Sequence, residues 1–504
     1  MKGDFSRLLA NDTYIMTLMQ QGRVQLDSDW NAQVIQQWMY LKAMTATILG
    51  EHGGPADPAP DGGCEVSRGH FKIMESLESS ELDFSICEGR YFVDGDMCVN
   101  SDDCTYLSQP YLKSPAALNT VLSENDAIGL VYLKVWLRHL TYIEDPVIRE
   151  VALGGPDTTT RVQRVWQVIV ADRAEKRPSQ EGELLPIIDW ADLIKEDFGE
   201  FQRILPADEK LPSGRLMAEV AKQEEIDDPC VLPPEAGYRG VENQLYRVEI
   251  LYSGDANDPD DTGNQEGDTP PEGQAVFVWS RDNGSVVYPI ENPKSEVITL
   301  KNLWRDERYA IHVGDWVEIS DEISVLHRTS LPLRRVVAVD TELMQITLTK
   351  APFWGDRNFA DLPLENPTVR RWDHAGDPAW GGGLPVIEST EDKPHPIELE
   401  KGIFITFWKN EDSPYDEDQD GAPDYRYGKN DWWLIPARTA TGDIEWPPSE
   451  EDPDKPKKCG PMRDGCWYAP LALIEKNDDG EITDTEIYDT RRQFIKMWHG
   501  SNGL

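Results

Sequence analysis

The chain is short of basic residues, of clustered histidine and of long apolar runs, and each shortage excludes something. Across 504 residues, 49 Lys and Arg stand against 92 Asp and Glu, a formal net charge of −43. Phosphate backbones are held by clustered cations, so nucleic acid is excluded as a partner. The eight His occur singly, with no HExxH, HxH or CxxC spacing, which argues against a catalytic zinc. There is no nucleophile elbow, P-loop or dinucleotide-binding glycine turn either, and the expectation is a protein without catalytic activity. No segment approaches ~18 uncharged apolar residues, so no membrane insertion is expected. Lys2, Asp4, Arg7 and Asp12 interrupt the opening residues, which predicts no signal peptide and hence synthesis and assembly in the cytoplasm. Seven Cys is an odd count in a chain too large to need staples. Reduced thiols are expected, with Cys98–Cys104 and Cys459–Cys466 left open as pairs after release from the cell.

What is present is aromatic and acidic. With 17 Trp, 17 Tyr, 12 Phe and 39% hydrophobic residues, the chain has the composition of a folded protein. Its length allows roughly two to four domains with real cores. The bland meaning of the acidity is solubility and repulsion between copies.

The stretch Leu18 to Leu49 organises the rest. Val24 and Leu26 alternate with Arg23, Gln25 and Asp27, the period of a short half-buried strand. Asp27 or Ser28 then caps a helix whose Trp30, Val34, Trp38, Leu41 and Ile48 keep close to one face. Gly50 ends it, and Gly53, Gly54 and Pro55 prevent its resuming. Such a face cannot be buried locally beside a Pro/Gly-rich linker. Leu26, Trp30, Val34, Trp38 and Leu41 are therefore candidate interface residues, facing either the rest of the chain or a partner.

Beyond it the pattern is mainly β: several small antiparallel modules, sandwich- or barrel-like, with the N-terminal helical arm and one short helical insertion. The expected blocks are a docking arm over 1–60, a first β domain over 61–172, a helical insertion over 173–235, and a second β region over 236–352. An irregular Pro/Gly/Trp-rich connection follows over 353–395, and a C-terminal β domain over 396–504. Within these, Asp94-Gly95 punctuates like a hairpin turn. Gly129 to Leu140 and Val162 to Val170 are the strongest early strands. Asp189 to Ile204, capped by Asp189, and Ser213 to Gln223 have helical spacing. Asp282-Asn283-Gly284 is the clearest hairpin, because Asn-Gly accepts positive φ cheaply, and Arg281 and Asp282 are expected to pair across it. Asp315 to Ile319, Leu333 to Val339 and Met344 to Leu348 look like a small curled sheet.

Two patterns could carry binding. Asp416, Asp418, Asp420 and Asp424, with Gly421 between, place oxygen ligands as a calcium loop does, but Tyr427 stands where a bidentate Glu is needed. Calcium is thus the only cofactor in view, and two readings stay open: an ion completed by Asp412 or Glu411, or a solvated acidic loop. The Trp-rich blocks, Trp354, Trp372, Trp380, Trp432, Trp433 and Trp446, could stack on sugars or simply fill cores. Trp432 and Trp433 point to opposite faces of one strand, so core packing is the default.

Several longer motifs resemble a known family. MKGDFSR at the start, QQGRVQLDSDWN, GRYFVDG at Gly89 to Gly95, IEDP at Ile143 to Pro146, and ALGGPDTTTR at Ala152 to Arg161 are similar to an uncharacterised domain family of bacterial gene clusters for extracellular contractile injection systems, the phage-tail-like particles. So are YRGVENQLYRVEI at Tyr238 to Ile250, WSRDNGSVV at Trp279 to Val287, and WWLIPARTATGDIEWP at Trp432 to Pro447. The resemblance implies a structural component near the baseplate or on the particle exterior. Its partners would be other subunits, itself included, in a symmetric ring, and release with the particle would follow assembly. The alternative is a surface- or glycan-binding fibre-like module, assisted by calcium.

Overall fold

Turn chemistry sets the first sheet. Asp94 and Gly95 take φ of 47° and 78°, the left-handed values a two-residue hairpin needs. They join Gly89–Val93 to Asp96–Asn100 in antiparallel register, Gly89 opposite Asn100 and Val93 opposite Asp96. The computed structural model describes residues 2–3, 14–55, 69–76, 81–123, 127–180, 183–221, 237–263, 271–291, 293, 295–329, 331–352, 364–415, 425–462, 465–477 and 479–494. The fold is mainly β, in small and mostly antiparallel sheets.

The chain divides into two compact units, each made of separated stretches. The smaller comprises Phe5–Arg138, Val162–Pro206 and Gly465–Leu504, and the larger Met1–Asp4, His139–Arg161 and Ala207–Asp464. These are not the consecutive blocks expected from the sequence. Strand pairing across long separations is the reason: Gly129–Leu140 pairs with Trp467–Ile474, Gln244–Tyr252 with Trp432–Arg438, and Arg215–Val220 with Ile403–Trp408. The segment expected to form one C-terminal domain is thus shared between both units.

In the smaller unit a four-stranded sheet runs in the order Ile487–Asp489, Trp467–Ile474, Gly129–Leu140, Arg161–Asp172. Its long strand is covered on both sides, which explains its near-continuous apolar run. Val131, Leu133 and Val135 face a core with Phe71, Phe84 and Trp166. Leu130 and Tyr132 face two helices, Ile187–Glu196 and Phe198–Ile204. The first of these starts at Ile187 behind Pro186, so Asp189 lies in its first turn rather than at the cap. The second is capped by the Asp197 carboxylate, which accepts from the Gly199 N–H at 2.9 Å.

The larger unit holds a five-stranded sheet, in the order Leu384–Pro385, Val276–Ser280, Gln244–Tyr252, Trp432–Arg438, Asp443–Ile444. A second sheet carries Arg215–Val220 beside Ile403–Trp408, and Tyr246, Val248, Ile250, Phe277, Ile405 and Phe407 share one core. Arg215–Val220 corrects the helix expected over Ser213 to Gln223. Leu216 and Ala218 are buried with a period of two, and a full set of backbone bonds to Ile403–Trp408 outweighs the local helical preference. The three short strands expected to curl do so. Trp316–Ser320, Arg334–Asp340 and Gln345–Leu348 belong to a six-stranded sheet with Val287–Pro289 and Val297–Thr299 at its edges, and a bridge from Ile290 to Leu300 joins those edges. Asn283 and Gly284 turn with φ of 52° and 65°, yet the turn is a corner rather than a hairpin. Val276–Ser280 stays in the five-stranded sheet while Val287–Pro289 enters the six-stranded one.

Candidate interface on the N-terminal helix

Helix α1 spans Asp27–Leu49 in the smaller unit. The residues before it are not a strand: Val24 is 84% exposed, and Leu26 is an extended N-cap residue with no side-chain cap. Asp27 and Asp29 sit instead in the first turn, where the helix dipole favours them. Gly50 closes the helix with φ 83°, its N–H donating to the Ala46 carbonyl at 2.8 Å. Propensity and termini therefore define α1 where the sequence predicts it.

One side of α1 is fixed to its own unit. It lies over the Asp94-Gly95 turn so closely that a Cβ on Gly95 would stand 2.1 Å from the Lys42 carbonyl oxygen. Lys42 Nζ reaches Asp94 at 3.0 Å and the buried Asp96 at 3.4 Å, and lies 3.3 Å from the centre of a Trp467 ring. Trp38 Nε1 donates to Asp96 Oδ1 at 3.3 Å, and Arg164 holds the same carboxylate at 2.8 Å. Asp96 thereby offsets its burial with two cations and an indole N–H. Trp38, of the residues grouped by spacing, is thus turned to the rest of its own unit.

The outer side is covered by nothing in the described residues. Trp30 and Ile48 are 70% and 71% exposed, and Val34, Leu41 and Met44 are exposed with them. Leu26 is exposed at the head of the helix. Beside α1, Thr17 donates through its N–H to Gln33 Oε1 at 2.9 Å and through its hydroxyl to Gln36 Oε1 at 3.2 Å. This brings the exposed Ile15, Met16, Leu18 and Met19 alongside. Exposed apolar side chains grouped in this way make α1 the candidate interface.

The other candidates fare differently. Asp416, Asp418, Asp420 and Asp424 lie outside the described residues, as does Trp354. Asp412, one of the two offered to complete a calcium loop, is held by Arg215 at 2.6 Å. Among the described residues no group of three or more His, Cys, Asp or Glu is arranged to hold a metal ion. Trp372, Trp380 and Trp433 are buried in the cores of the larger unit. Trp446 spends its indole N–H on the Lys457 carbonyl at 2.8 Å, and the Arg247 guanidinium lies 4.4 Å from the Trp432 ring centre. Trp432 and Trp446 are half-buried. Cys98, Cys104 and Cys459 are thiols, and burial raises Cys98 to about 12.

Sequence reasoning missed a buried ionic cluster in the larger unit. Glu249 is 2% exposed and takes Lys2 Nζ at 2.6 Å together with Arg247. Burial alone would raise its carboxyl, but the attraction of Arg247 and Lys2 outweighs this and holds it at about 2. Asn283 locks the same corner, accepting from Arg247 at 3.1 Å and donating to the Gly3 carbonyl at 3.0 Å. Arg281 and Asp282 do not pair across their turn. Arg281 bridges Asp373 at 2.9 Å and Glu400 at 2.7 Å, while Asp282 pairs with Arg308 at 2.6 Å. A signal existed for part of this: Arg247 and Glu249, two apart in an apolar strand, must share a face. Nothing in the sequence pointed to Lys2. A further carboxylate, Glu388, is raised by burial and receives the hydroxyls of Tyr425 and Tyr427 at 2.9 Å.

A family described as a family of unknown function (DUF6519) matches residues 1–183 and 197–479. No curated protein and no solved structure matches the chain.

Proposed function

We propose, for a chain that belongs to the family of unknown function DUF6519, a structural role: a component of a contractile injection particle, at its baseplate or on its exterior, docked to neighbouring subunits through α1. The observation that carries this reading is a helix held firmly from behind whose outward row is apolar throughout most of its length. Each large side chain left in water forgoes about 1.5–3 kcal/mol of burial. A row of them on a fixed helix is what a subunit interface requires before assembly. The likeness of the motifs at Gly89, Ala152, Tyr238 and Trp432 to proteins of contractile-particle gene clusters supplies the setting. Buried tryptophans and the self-neutralised cluster around Glu249 support rigid modules rather than a reactive cleft.

The test is mass spectrometry of washed, sedimented particles from cells carrying wild type or the double variant Val34→Asp/Leu41→Asp. The expected result is wild type in fixed ratio to the other particle subunits and loss of the variant at unchanged expression. Absence of wild type from washed particles would overturn the role.

A further inference from the structure

The outer row of α1 follows a heptad. Val34, Leu41 and Ile48 recur every seven residues, and so do Trp30, Gln37 and Met44, each row three or four residues from the other. All six side chains are exposed, and together they make the two rows of a coiled-coil seam. From Trp30 to Ile48, at about 1.5 Å per residue, the seam is about 27 Å long.

We infer that the occupant of this seam is α1 of a second copy of the same chain. The inference rests on the docking role proposed above and names its partner. Charge decides between a copy and another protein. With a formal charge of −43, two copies repel each other wherever acidic surface meets acidic surface. Residues 30–50 carry a single charge, Lys42, in a chain of which 28% is charged. That lysine is turned inward to Asp94 and Asp96. The seam is thus a surface on which a copy meets no repulsion, whereas a basic partner would find nothing there to hold it.

The flanking positions agree. Asn31, Gln33, Trp38, Tyr40, Thr45 and Thr47 border the seam where coiled coils that select a different partner place charges of chosen sign. Here no charge encodes a different partner. Gln37, the polar seam residue, lies close to the helix midpoint. In a parallel two-fold pair each seam residue meets its own counterpart across the axis, and the Gln37 amide both donates and accepts. Another copy is the partner guaranteed to bring the matching group.

Sedimentation of the purified full-length chain over a concentration series tests this. Wild type should self-associate reversibly. Val34→Glu/Leu41→Glu should weaken association by roughly 100-fold or more, because the pair would bury unpaired charge. Both residues are exposed in the single chain, so at concentrations too low for wild type to pair the unfolding midpoint should not move. Gln37→Cys should give a covalent dimer on mild oxidation, and the yield should collapse when Leu41→Glu is added. A wild type that stays monomeric to roughly 100 µM overturns the inference, as does association that survives the charged pair. If wild type is monomeric yet the charged variant is excluded from particles, the occupant is another subunit and the docking role stands. If the chain pairs through α1 but is absent from particles, the docking role falls and the pairing stands.

Discussion

The smaller unit contains two helical regions that treat apolar side chains in opposite ways. The pair Ile187–Glu196 and Phe198–Ile204 presents Ile187, Trp190, Ala191, Ile194, Phe201 and Ile204 to one core, against Leu130 and Tyr132 of the sheet. Helix α1 is apolar on more than one side. Its inner side rests on a turn, a lysine and an indole hydrogen bond, and its outer row meets solvent. Apolar content does not distinguish the two regions; the direction of the stripe does. Polar contacts anchor α1 from one side and leave its hydrophobic row exposed, the observation on which the docking proposal rests.

Truncation should separate the regions most sharply. Trp190→Ala should destabilise the smaller unit by about 3–5 kcal/mol, the range for a fully buried aromatic. Trp30→Ala should change stability by no more than about 0.5 kcal/mol while reducing self-association. Denaturant unfolding and sedimentation of both variants check this, and equal stability losses would erase the contrast.

A smaller effect concerns His52, which follows α1 directly and packs its ring 5.2 Å from Phe198, so that it touches the buried helical region. Burial, with Arg492 nearby, lowers its pKa from 6.5 to about 4, and its Nδ1 is 2.9 Å from the Tyr91 hydroxyl. A histidine whose folded pKa lies below its unfolded one is a burden in acid: the unfolded chain binds the proton first. Stability should be intact above 6.5 and fall as pH drops towards about 4, by about 2 kcal/mol between about pH 7.5 and pH 5. His52→Phe should flatten that slope in denaturant titrations at the two pH values.

The most local change should come from Gly95→Ala, at roughly 1–3 kcal/mol. The added methyl meets the Lys42 carbonyl at a backbone position of φ 78°. Hydrogen exchange of α1 should rise while that of Ile187–Glu196 does not. Equal protection in the variant would mean that α1 is not held by this turn.

Much of the fold was legible where local chemistry is decisive. Asp94-Gly95, Gly50 and the continuous apolar run of Gly129–Leu140 each specify a geometry within a few residues. The strand Arg215–Val220 was not, because its partner lies almost two hundred positions away and its pattern alone suits a helix. The units were not either, since pairing between distant strands leaves no mark at a boundary. On α1, helical spacing grouped Trp30, Val34, Trp38 and Leu41, of which Trp30, Val34 and Leu41 are exposed. Spacing left open whether that face meets the chain or a partner, and only the position of Asp96 shows that Trp38 is turned inward. The Glu249 cluster was half visible, through Arg247, and half invisible, because its third member comes from the chain's second residue.

The pairing of Gly129–Leu140 with Trp467–Ile474 has a consequence for biosynthesis. On a ribosome working at about 5–20 residues per second, tens of seconds separate the emergence of the two strands. Through that interval the central strand of the smaller unit offers an open edge, and its core cannot close. Nascent chains must wait in that state, exposed to chaperones and to one another, until Trp467–Ile474 has been made.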